Sequence, residues 1–443
     1  MAGAASQGPA SEGSGSAVAT EPLDAVRRAA GAEHTRPGGP ADEVDGVRPA
    51  LVPEPDTVDR VREVMRAAHQ AGLHVVVRGG GTKLGWGAPP AGLDLVLSTA
   101  RLDQVLEHAA GDLVVRAQAG VRLADLQREL APASQMLALD PPEPDATLGG
   151  IVAAGASGPR RLRYGTARDL LIGVTVVLAD GTLAHSGGKV VKNVAGYDLG
   201  KLFTGSFGTL GVLVEVIFRL HPLPAAAGLA VVEVATPDQA GAAVRALSAS
   251  SLVPSAVELD WPDPAVPGTL SVLVEGVAPG VEAQTGTAAR LLAEHGQARV
   301  LDPGELDAAV AALGALPWTP DPDVLGVKLA SVPADLPAAL TALWEAAGAH
   351  DLDARVRGHA ATGVLWAALR GGDAARKAAF VTDARDRLAL GGASLVVHQA
   401  APEVKEAVEV WGPAGDAAGL MRRVKRQFDP EGVLSPGRFV GGI

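Results

Sequence analysis

The stretch that decides the fold reads TLGGIVAAGASGPRRLRYGTARDLLIGVTVVLADG and covers residues 147–181. Its first part is rich in glycine and contains a proline, which argues against regular strands. It also carries three residues that are apolar enough to be buried, namely Leu148, Ile151 and Val152. We therefore expect a structured loop with one helical turn. The second part, IGVTVVLADG, predicts a β-hairpin in which Asp180 and Gly181 supply the positive φ values of a tight turn.

The segments before this stretch alternate between helix and strand patterns. Residues 57–71 predict an amphipathic helix, with Thr57 as its N-cap and Gly72 at its end. Short strands are predicted in LHVVVR, LDLVLST and DLVVRAQAG, and helices in RLDQVLEH and VRLADLQREL. This alternation predicts a mixed fold of helix and sheet layers.

Beyond about residue 223 the texture of the sequence changes. Strand patterns alternate here with alanine-rich helices, and the strands are LAVVEVAT, SAVELDW, LSVLVEG and VLGVKLAS. The glycine-rich type of loop found earlier does not recur here. We therefore expect a second α+β domain without a phosphate-type loop. The terminal segment QFDPEGVLSPGRF is rich in turn residues and is expected to pack back onto the rest.

Composition excludes several classes of function. The chain has 443 residues, of which 47% are hydrophobic, and carries a net charge of −12. An acidic balance argues against a general nucleic-acid or anionic-membrane surface. The sequence contains no cysteine, which excludes disulfides, thiol catalysis and a cysteine-ligated iron–sulfur cluster within this chain.

The amino-terminal residues predict no targeting signal. The first twenty are rich in Ala, Gly and Ser and lack the positive start and apolar stretch of a secretory signal. The sequence also lacks a run of apolar residues long enough for a membrane span. We therefore expect a disordered leader to about Val18 and a cytoplasmic protein.

Residue types that the chain otherwise avoids are concentrated between positions 83 and 201. The only tyrosines are Tyr164 and Tyr197, and the only asparagine is Asn193. Four of the eight lysines also fall in this interval: Lys83, Lys189, Lys192 and Lys201. The interval is therefore where we expect chemistry.

Three glycine-rich constellations follow one another in this part of the chain. The first, VVVRGGGTKLGWG, places glycines after a strand, where backbone N–H groups can approach a pyrophosphate. It matches neither a Walker A loop nor a Rossmann fingerprint, and by itself is compatible with a simple turn. The second lies at 145–169, and the third is GGKVVKNVAGYD followed by GSFGTLG. Each alone is a modest signal, whereas the three in this order are much more specific.

In this order the three motifs resemble the FAD-binding domain of the vanillyl-alcohol oxidase (PCMH-type) superfamily. The segment GGKVVKNVAGYDLGKLF and the ending FDPEGVLSPGRFVGGI most resemble the FAD-binding E subunits of bacterial glycolate oxidases. The resemblance implies an α+β chain in which a PCMH-type domain of two α+β subdomains precedes an α+β cap. The expected bounds are a leader with a short helix at 1–41, the FAD domain at 42–223, the cap at 224–410, and a tail that packs back on the FAD domain at 411–443.

The resemblance also implies where FAD binds. The pyrophosphate is expected on the backbone of the first loop, the flavin along the second constellation, and the adenine end beside the GTLG turn. The implied cofactor-binding residues are Arg78, Gly79, Gly80, Gly81, Thr82, Lys83, Thr147, Gly149, Gly150, Gly155, Ser157, Tyr164, Gly165, Asn193, Gly211 and Val212. Some relatives attach the flavin through a histidine in the first loop. Because residues 79–87 contain none, we expect the FAD to be non-covalent.

The sequence departs from the family pattern at two places. Many relatives have an acidic residue before GTLG, where this chain has Phe207. Catalytic relatives carry a histidine-rich cap motif that serves substrate or metal, and the nearest match here is RGHAATG, with His359 alone. His398 could join it, but two histidines without a carboxylate pattern are weak support for a metal site, and we expect none.

Two functions remain open on the sequence. In the first, the chain oxidises a small 2-hydroxy acid, with His359 as the base, an arginine on the substrate carboxylate, and FAD as hydride acceptor. In the second, it is an FAD-bearing partner of a catalytic flavoprotein and an iron–sulfur subunit. The absence of cysteine and the reduced histidine motif favour the partner role slightly.

Overall fold

The structure, a computed structural model, describes residues 20–189 and 197–443. Its first unit is a small sheet with the strand order β1-β2-β4-β3. The strands are β1 (Thr35–Pro37), β2 (Leu51–Pro53), β3 (Val75–Arg78) and β4 (Leu95–Ser98), and the helices beside them are α1 (Thr20–Ala30) and α2 (Val58–Ala71). Strands β3 and β4 are parallel, so both carry their chain toward the same edge of the sheet.

Helix α2 forms as the sequence predicts. The Thr57 hydroxyl accepts a hydrogen bond from the Arg60 N–H at 3.3 Å, and Gly72 ends the helix in the left-handed conformation with φ 64°. One stripe of the helix is buried, and consists of Val61, Val64, Met65 and Ala68. This stripe packs in one core with β3 and β4 and so fixes where β3 ends.

The second unit is an antiparallel sheet with the order β5-β6-β10-β8-β9. Its strands are β5 (Val105–Ala109), β6 (Val114–Gln118), β8 (Leu171–Val177), β9 (Leu183–Gly187) and β10 (Val212–Arg219). Its helices are α3 (Leu123–Leu130), α4 (Leu148–Ala154), α5 (Arg161–Tyr164), α6 (Ala167–Leu170) and α7 (Gly200–Phe203). A two-stranded sheet of β7 (Gln135–Met136) and β11 (His221–Pro222) lies beside it. The predicted pair of α+β subdomains is therefore confirmed.

Two local predictions were wrong in this unit. The segment RLDQVLEH was predicted as a helix, but its second half is β5, because pairing with β6 satisfies its backbone and outweighs local propensity. In the hairpin of β8 and β9 only Gly181 has a positive φ, of 84°, and Asp180 instead caps the turn by accepting the Thr182 N–H at 2.8 Å. The 140–170 stretch also holds more helix than the one turn expected, as α4, α5 and α6 show.

The carboxy-terminal half is built on an eight-stranded antiparallel sheet, here named the cap sheet. Its order is β15-β12-β14-β13-β17-β18-β16-β19. The strands are β12 (Ala226–Val234), β13 (Ala256–Trp261), β14 (Gly268–Gly276), β15 (Ala298–Val300), β16 (Leu325–Ala330), β17 (Asp353–His359), β18 (Val364–Arg370) and β19 (Ser394–Gln399). The helices of this half are α8 (Pro237–Ala249), α9 (Ala278–Leu292), α10 (Pro303–Ala312), α11 (Leu336–Ala349), α12 (Ala374–Ala389), α13 (Pro402–Ala407) and α14 (Ala418–Phe428).

The two faces of the cap sheet differ in character. Since side chains alternate along a strand, Val257, Leu259 and Trp261 of β13 point to one face and pack in the large core with α8, α11 and α12. Glu258 and Asp260 point to the other face. We call this second face, which meets the amino-terminal units, the inner face.

The chain's last residues return to the first sheet. The Val75 N–H donates to the Val433 carbonyl and the Ser435 N–H to the Val75 carbonyl, each at 2.8 Å. A buried ion pair holds this return, because Lys425 of α14 lies 2.6 Å from Asp429. Asp429 also accepts the N–H groups of Val433 and Leu434. Residues 429–435 therefore extend the sheet next to β3.

No helix within the described ranges is both long enough and apolar enough to cross a bilayer.

Replacing Asp429 tests how far the fold depends on this return. In Asp429→Asn the buried Lys425 loses its counter-charge, so we expect a loss of about 3 kcal/mol in the free energy of unfolding. Thermal unfolding followed by circular dichroism measures it as a lower midpoint. The matched control is Asp24→Asn in α1, whose partner Arg27 lies 3.0 Å away and is exposed. That change should cost less than about 1 kcal/mol, and equal midpoints for the two variants would contradict this assignment.

Candidate cofactor cleft and active site

An open cleft lies where β3, α4 and the returning tail meet. The lining residues are Val76, Val77, Arg78, Gly79, Gly80, Gly81, Thr82, Lys83, Leu84, Thr99, Ala146, Thr147, Gly149, Gly150, Ala153, Ala154, Phe207, Gly208, Gly211, Leu213, Ser435 and Arg438. The wall is thus mostly backbone and small side chains, which allows close approach of a ligand.

The glycine loop after β3 is pressed against the segment that leads into α4. A Cβ on Gly79 would collide with the Thr147 hydroxyl, and one on Gly80 would collide with the carbonyl oxygen of Asp145. Gly81 has a φ of 75°, which side chains disfavour. These positions need glycine because the neighbouring segment leaves no room for a side chain and because Gly81 has a positive φ.

The same loop presents backbone donors without acceptors. Among the described residues, no acceptor is bonded to the N–H groups of residues 79–83. Successive free N–H groups in a turn form a concave anion site. The loop therefore fits a phosphate or pyrophosphate group, as the sequence predicts.

The cleft brings together most of the predicted cofactor-binding residues. Those that line it are Arg78, Gly79, Gly80, Gly81, Thr82, Lys83, Thr147, Gly149, Gly150 and Gly211. The Thr147 hydroxyl also accepts the Gly150 N–H at 3.3 Å and so caps α4. The first and second constellations thus form adjoining walls of one site.

Other predicted residues lie outside this lining. Gly155 ends α4 with a φ of 62°, Gly165 packs on Asp169, and Val212 is fully buried in β10. Ser157 is buried and its hydroxyl has no hydrogen-bond partner among the described residues. Tyr164 packs edge-on against His221 at 4.9 Å. Asn193 lies outside the described residues.

Several lining residues were not predicted. Ser435 and Arg438 reach the cleft from the tail. The turn-rich sequence of the tail predicted that it packs on the rest of the chain, but not that it lines this cleft. Phe207, at the departure from the family pattern, has a φ of 58° and packs on Trp411 with ring centroids 5.2 Å apart. Arg438 lies over its other side at 5.2 Å. Phe207, Trp411 and Arg438 thus form an aromatic and cationic cluster beside the cleft.

A row of polar and aromatic side chains crosses the inner face of the cap sheet. It comprises Glu258 of β13, His359 of β17, Trp366 of β18, Lys328 of β16 and His398 of β19. Three buried nitrogens in this row have no hydrogen-bond partner among the described residues: His359 Nε2, Trp366 Nε1 and His398 Nδ1. Because folded proteins leave few such atoms without partners, the row fits a polar ligand.

Glu258 holds His359 in a fixed orientation. The two carboxylate oxygens lie 2.9 and 2.8 Å from His359 Nδ1, and both side chains are buried. Trp366 packs edge-on against the imidazole, with centroids 4.9 Å apart and planes at 84°. A ring whose Nδ1–H donates to a carboxylate presents Nε2 as an acceptor. Sequence reasoning missed Glu258, which supplies the carboxylate that His359 seemed to lack.

His398 joins the row to the cofactor cleft. Its ring stacks on Trp86 with centroids 3.8 Å apart, and Lys83, which lines the cleft, lies 5.3 Å from the Trp86 ring. Burial, together with the charges of Lys328 and Lys83, holds the pKa of His398 well below its usual value. His398 is therefore neutral.

Lys328 and Arg161 are cations without counter-ions near the middle of the row. Within the described residues, neither side chain forms an ion pair, and only the longer-range charges of Asp169, Glu258 and Asp140 act on Arg161. Burial lowers the pKa of Lys328, and the neighbouring charge of Arg161 lowers it further. Arg161 sits on α5, which is fastened to the cap sheet where Arg160 pairs with Glu275 at 2.8 Å. Two such cations side by side are costly unless an anion binds between them.

The structure does not bring His359 and His398 together. Strands β18 and β16 lie between theirs, so β17 and β19 are roughly 14 Å apart, and the register separates the two histidines further along the strands. Within the described ranges, no group of three or more metal-ligating side chains was found.

The cleft and the fold define a PCMH-type FAD flavoprotein, and comparisons with known proteins place the chain in the FAD-linked oxidase family. Residues 49–187 match the FAD binding domain model, and residues 223–439 match the C-terminal domain model of FAD linked oxidases. An uncharacterised FAD-linked oxidoreductase of Mycobacterium tuberculosis is 30% identical over 429 residues, which cover 89% of this chain and 91% of the relative. The chain therefore belongs to this family and is an FAD-dependent oxidoreductase.

Two glycolate oxidase subunits match the chain over a shorter span. GlcD of Bacillus subtilis is 35% identical over 219 residues, which cover 48% of this chain and 46% of the relative. GlcE of Escherichia coli is 38% identical over 154 residues, which cover 34% of this chain and 43% of the relative. Each match thus spans less than half of the relative.

Solved structures share the fold at low identity. A p-cresol methylhydroxylase with bound substrate superposes with a TM-score of 0.77 at 15% identity, covering 95% of this chain and 97% of that one. An alkyldihydroxyacetonephosphate synthase gives 0.68 at 18% identity, covering 89% and 78%. At these identities the likeness shows the fold alone.

Replacing Gly80 tests whether the packing of the glycine loop against Asp145 is needed for FAD binding. In Gly80→Ala the new Cβ collides with the Asp145 carbonyl oxygen, so the loop must move and we expect flavin content to fall to a small fraction of the wild-type level. Absorbance of the purified protein, before and after reconstitution with FAD, measures it. The matched control is Gly85→Ala, because a Cβ there meets no atom within 4 Å. Full flavin content in Gly80→Ala would contradict the assignment of the loop.

Proposed function

We propose that the chain oxidises a small 2-hydroxy acid with non-covalent FAD and passes the electrons to a separate acceptor. One observation carries the proposal. Beside the cofactor cleft, Lys328 of the inner face and Arg161 of α5 are cations without an ion-pair partner among the described residues, and His359 Nε2 has no hydrogen-bond partner among them. A carboxylate next to a hydroxyl is the ligand that satisfies these groups together.

In this proposal residues 42–223 and the tail at 411–443 hold FAD, and the cap at 224–410 supplies the substrate side. The free N–H groups of residues 79–83 bind the pyrophosphate, and Thr147, Gly149 and Gly150 pack along the cofactor. Ser157, near the end of α4, faces the flavin side with its partnerless hydroxyl. The lining contains no histidine to form a covalent link. Bound FAD supplies the hydride acceptor.

The substrate carboxylate binds between Lys328 and Arg161. Burial has removed much of the water from both cations, so an ionic hydrogen bond to either is stronger than one at the surface. The pair also selects for an anion, because a neutral alcohol would leave both charges buried and unmatched. This accounts for a hydroxy acid rather than a simple alcohol as the substrate class.

His359 takes the proton of the substrate hydroxyl. Its Nε2 is the free acceptor, and Glu258 stabilises the imidazolium that forms. FAD held by the loop at 79–83 and by Thr147, Gly149 and Gly150 would accept the hydrogen of the substrate carbon with its electron pair. The reaction would then yield a 2-oxo acid, one proton and the two-electron-reduced cofactor.

Electrons must then leave through another molecule. The chain has no cysteine to ligate an iron–sulfur cluster. The similarity to GlcD and GlcE supports a place in a multi-subunit oxidase of the glycolate type, with an iron–sulfur subunit and a second flavoprotein as partners. The second candidate function is a non-catalytic FAD-bearing partner, which the local similarity to GlcE favours.

Anaerobic mixing with substrate separates the two candidates. We expect glycolate or D-lactate to bleach the flavin of the isolated wild-type chain. In His359→Gln the rate should fall by about 10²- to 10⁴-fold, since the hydroxyl proton has no acceptor, while flavin content is unchanged. The matched control is His350→Gln, at the end of α11. If no 2-hydroxy acid reduces the wild-type flavin, the partner function stands instead.

Lys328→Met tests the carboxylate site. The variant removes one charged donor from the substrate, so we expect the apparent substrate dissociation constant to rise about 10- to 100-fold. Stopped-flow reduction at increasing substrate concentration measures it. Lys377→Met, on the exposed side of α12, is the control and should leave the constant unchanged. Equal constants for Lys328→Met and the wild type would remove Lys328 from the site.

A further inference from the structure

Three cations line the cofactor cleft, and they differ in how their charge is compensated. Arg78 lies 2.7 Å from Asp42, and Lys83 lies 2.5 Å from Glu143. Among the described residues the third cation, Arg438, forms no ion pair, and its guanidinium donates to backbone carbonyls instead. Arg438 is therefore the lining charge that has no carboxylate of its own.

Arg438 holds the segment that follows the glycine loop. Its guanidinium donates to the carbonyls of Leu84 and Trp86, each at 2.5 Å, and to that of Ala88 at 3.4 Å. Burial lowers the pKa of Arg438 to about 10, so the side chain keeps its charge at neutral pH. Because the residue is buried, solvent screens this charge less than it screens a charge at the surface.

A buried ion pair next to Arg438 leaves its charge uncancelled. Asp45 lies 2.5 Å from Lys405 of α13, and both side chains are buried. Lys405 also donates to the Gly85 carbonyl at 2.5 Å. The charges of the pair sum to zero whether the shared proton lies on the amine or on the carboxylate. Asp45, Lys405 and Arg438, here named the cation cluster, therefore carry one net positive charge.

The cation cluster lies on the side of the cleft that meets the polar row of the cap. Trp86, whose carbonyl accepts from Arg438, stacks on His398 of that row with ring centroids 3.8 Å apart. Arg438 also lies 5.2 Å from the ring of Phe207, which lines the cleft. The loop that fits the pyrophosphate ends earlier, at residue 83. The charge is therefore held by the segment beyond that loop, toward the cap.

We propose that the cation cluster raises the reduction potential of the flavin by stabilising the negative charge that the ring gains on reduction. The inference rests on the proposed function, which places the flavin beside the polar row. A flavin ring that takes up two electrons and one proton gains one negative charge. In the proposed reaction the electrons come from the 2-hydroxy acid. A buried positive charge nearby favours the reduced ring, so the flavin becomes the stronger oxidant of that substrate.

Two substitutions of Arg438 separate its charge from its contacts. Arg438→Gln removes the charge, whereas Arg438→Lys keeps the charge and loses the fork that reaches three carbonyls. At a fixed potential we expect Arg438→Gln to lower the ratio of reduced to oxidised flavin about tenfold, which is a drop of about 30 mV in the midpoint potential. Arg438→Lys should stay close to the wild-type potential. Anaerobic titration of the FAD-loaded full chain with dithionite, against a dye of known potential, measures both.

Asp45→Asn changes the charge of the cluster in the opposite direction. Asp45 has a φ of 48°, a conformation that Asn tolerates, and an amide oxygen can still accept from Lys405. The cluster then carries two positive charges, so the midpoint potential should rise. This variant keeps the proposal testable if Arg438→Gln does not retain FAD. The matched control is Arg290→Gln on the exposed side of α9, where solvent screens the charge and no shift is expected.

Three outcomes would overturn the proposal. The first is a midpoint potential that neither Arg438→Gln nor Asp45→Asn shifts. The second is an equal drop in Arg438→Lys and Arg438→Gln, because the contacts rather than the charge would then act on the flavin. The third is weaker FAD binding in Arg438→Gln at an unchanged potential, which would assign the charge to the pyrophosphate. These titrations use no substrate, so they decide the role of the cluster even if no 2-hydroxy acid reduces the wild-type flavin and the proposed function fails.

Discussion

The free backbone N–H groups of residues 79–83 are the constraint around which the amino-terminal half is arranged. Unpaired amides are costly once water is excluded from them, so a ligand that fills the cleft must satisfy these donors. Strand β3 delivers the loop, the segment at 145–147 presses against its glycines, and the returning tail pairs along β3. The loop cannot shift without displacing these neighbours, which keeps its donors directed at one place.

The cap sheet adds chemistry through the alternation of its side chains. One face carries the apolar residues that form the largest core with the helices, and the other carries the row from Glu258 to His398. Lys328 and Arg161 are both half-buried, and neither forms an ion pair among the described residues. Under the proposed function, an anionic substrate supplies the missing counter-charge.

Local patterns predicted local structure, and long-range pairing accounts for what they missed. The capped helix after Thr57 and the strand before Arg78 depend on neighbouring residues and were confirmed. The helix predicted for RLDQVLEH was wrong because pairing with β6 decides the conformation of its second half. Glu258 could not be recognised, since 101 residues separate it from His359 and only the pairing of β13 with β17 joins them. Lys328 lies within an apolar strand pattern. Its role as a candidate anion ligand can be inferred only from the sheet face on which it lies.

We propose that the polar row of the cap faces the bound flavin. Titration of the FAD-loaded chain with oxalate, an anion of similar shape that cannot be oxidised as a hydroxy acid, tests this most directly. We expect a saturable change in the visible absorption of the flavin, and its weakening in Lys328→Met. A flavin spectrum that oxalate leaves unchanged, or changes equally in the variant, would contradict the placement of the substrate site.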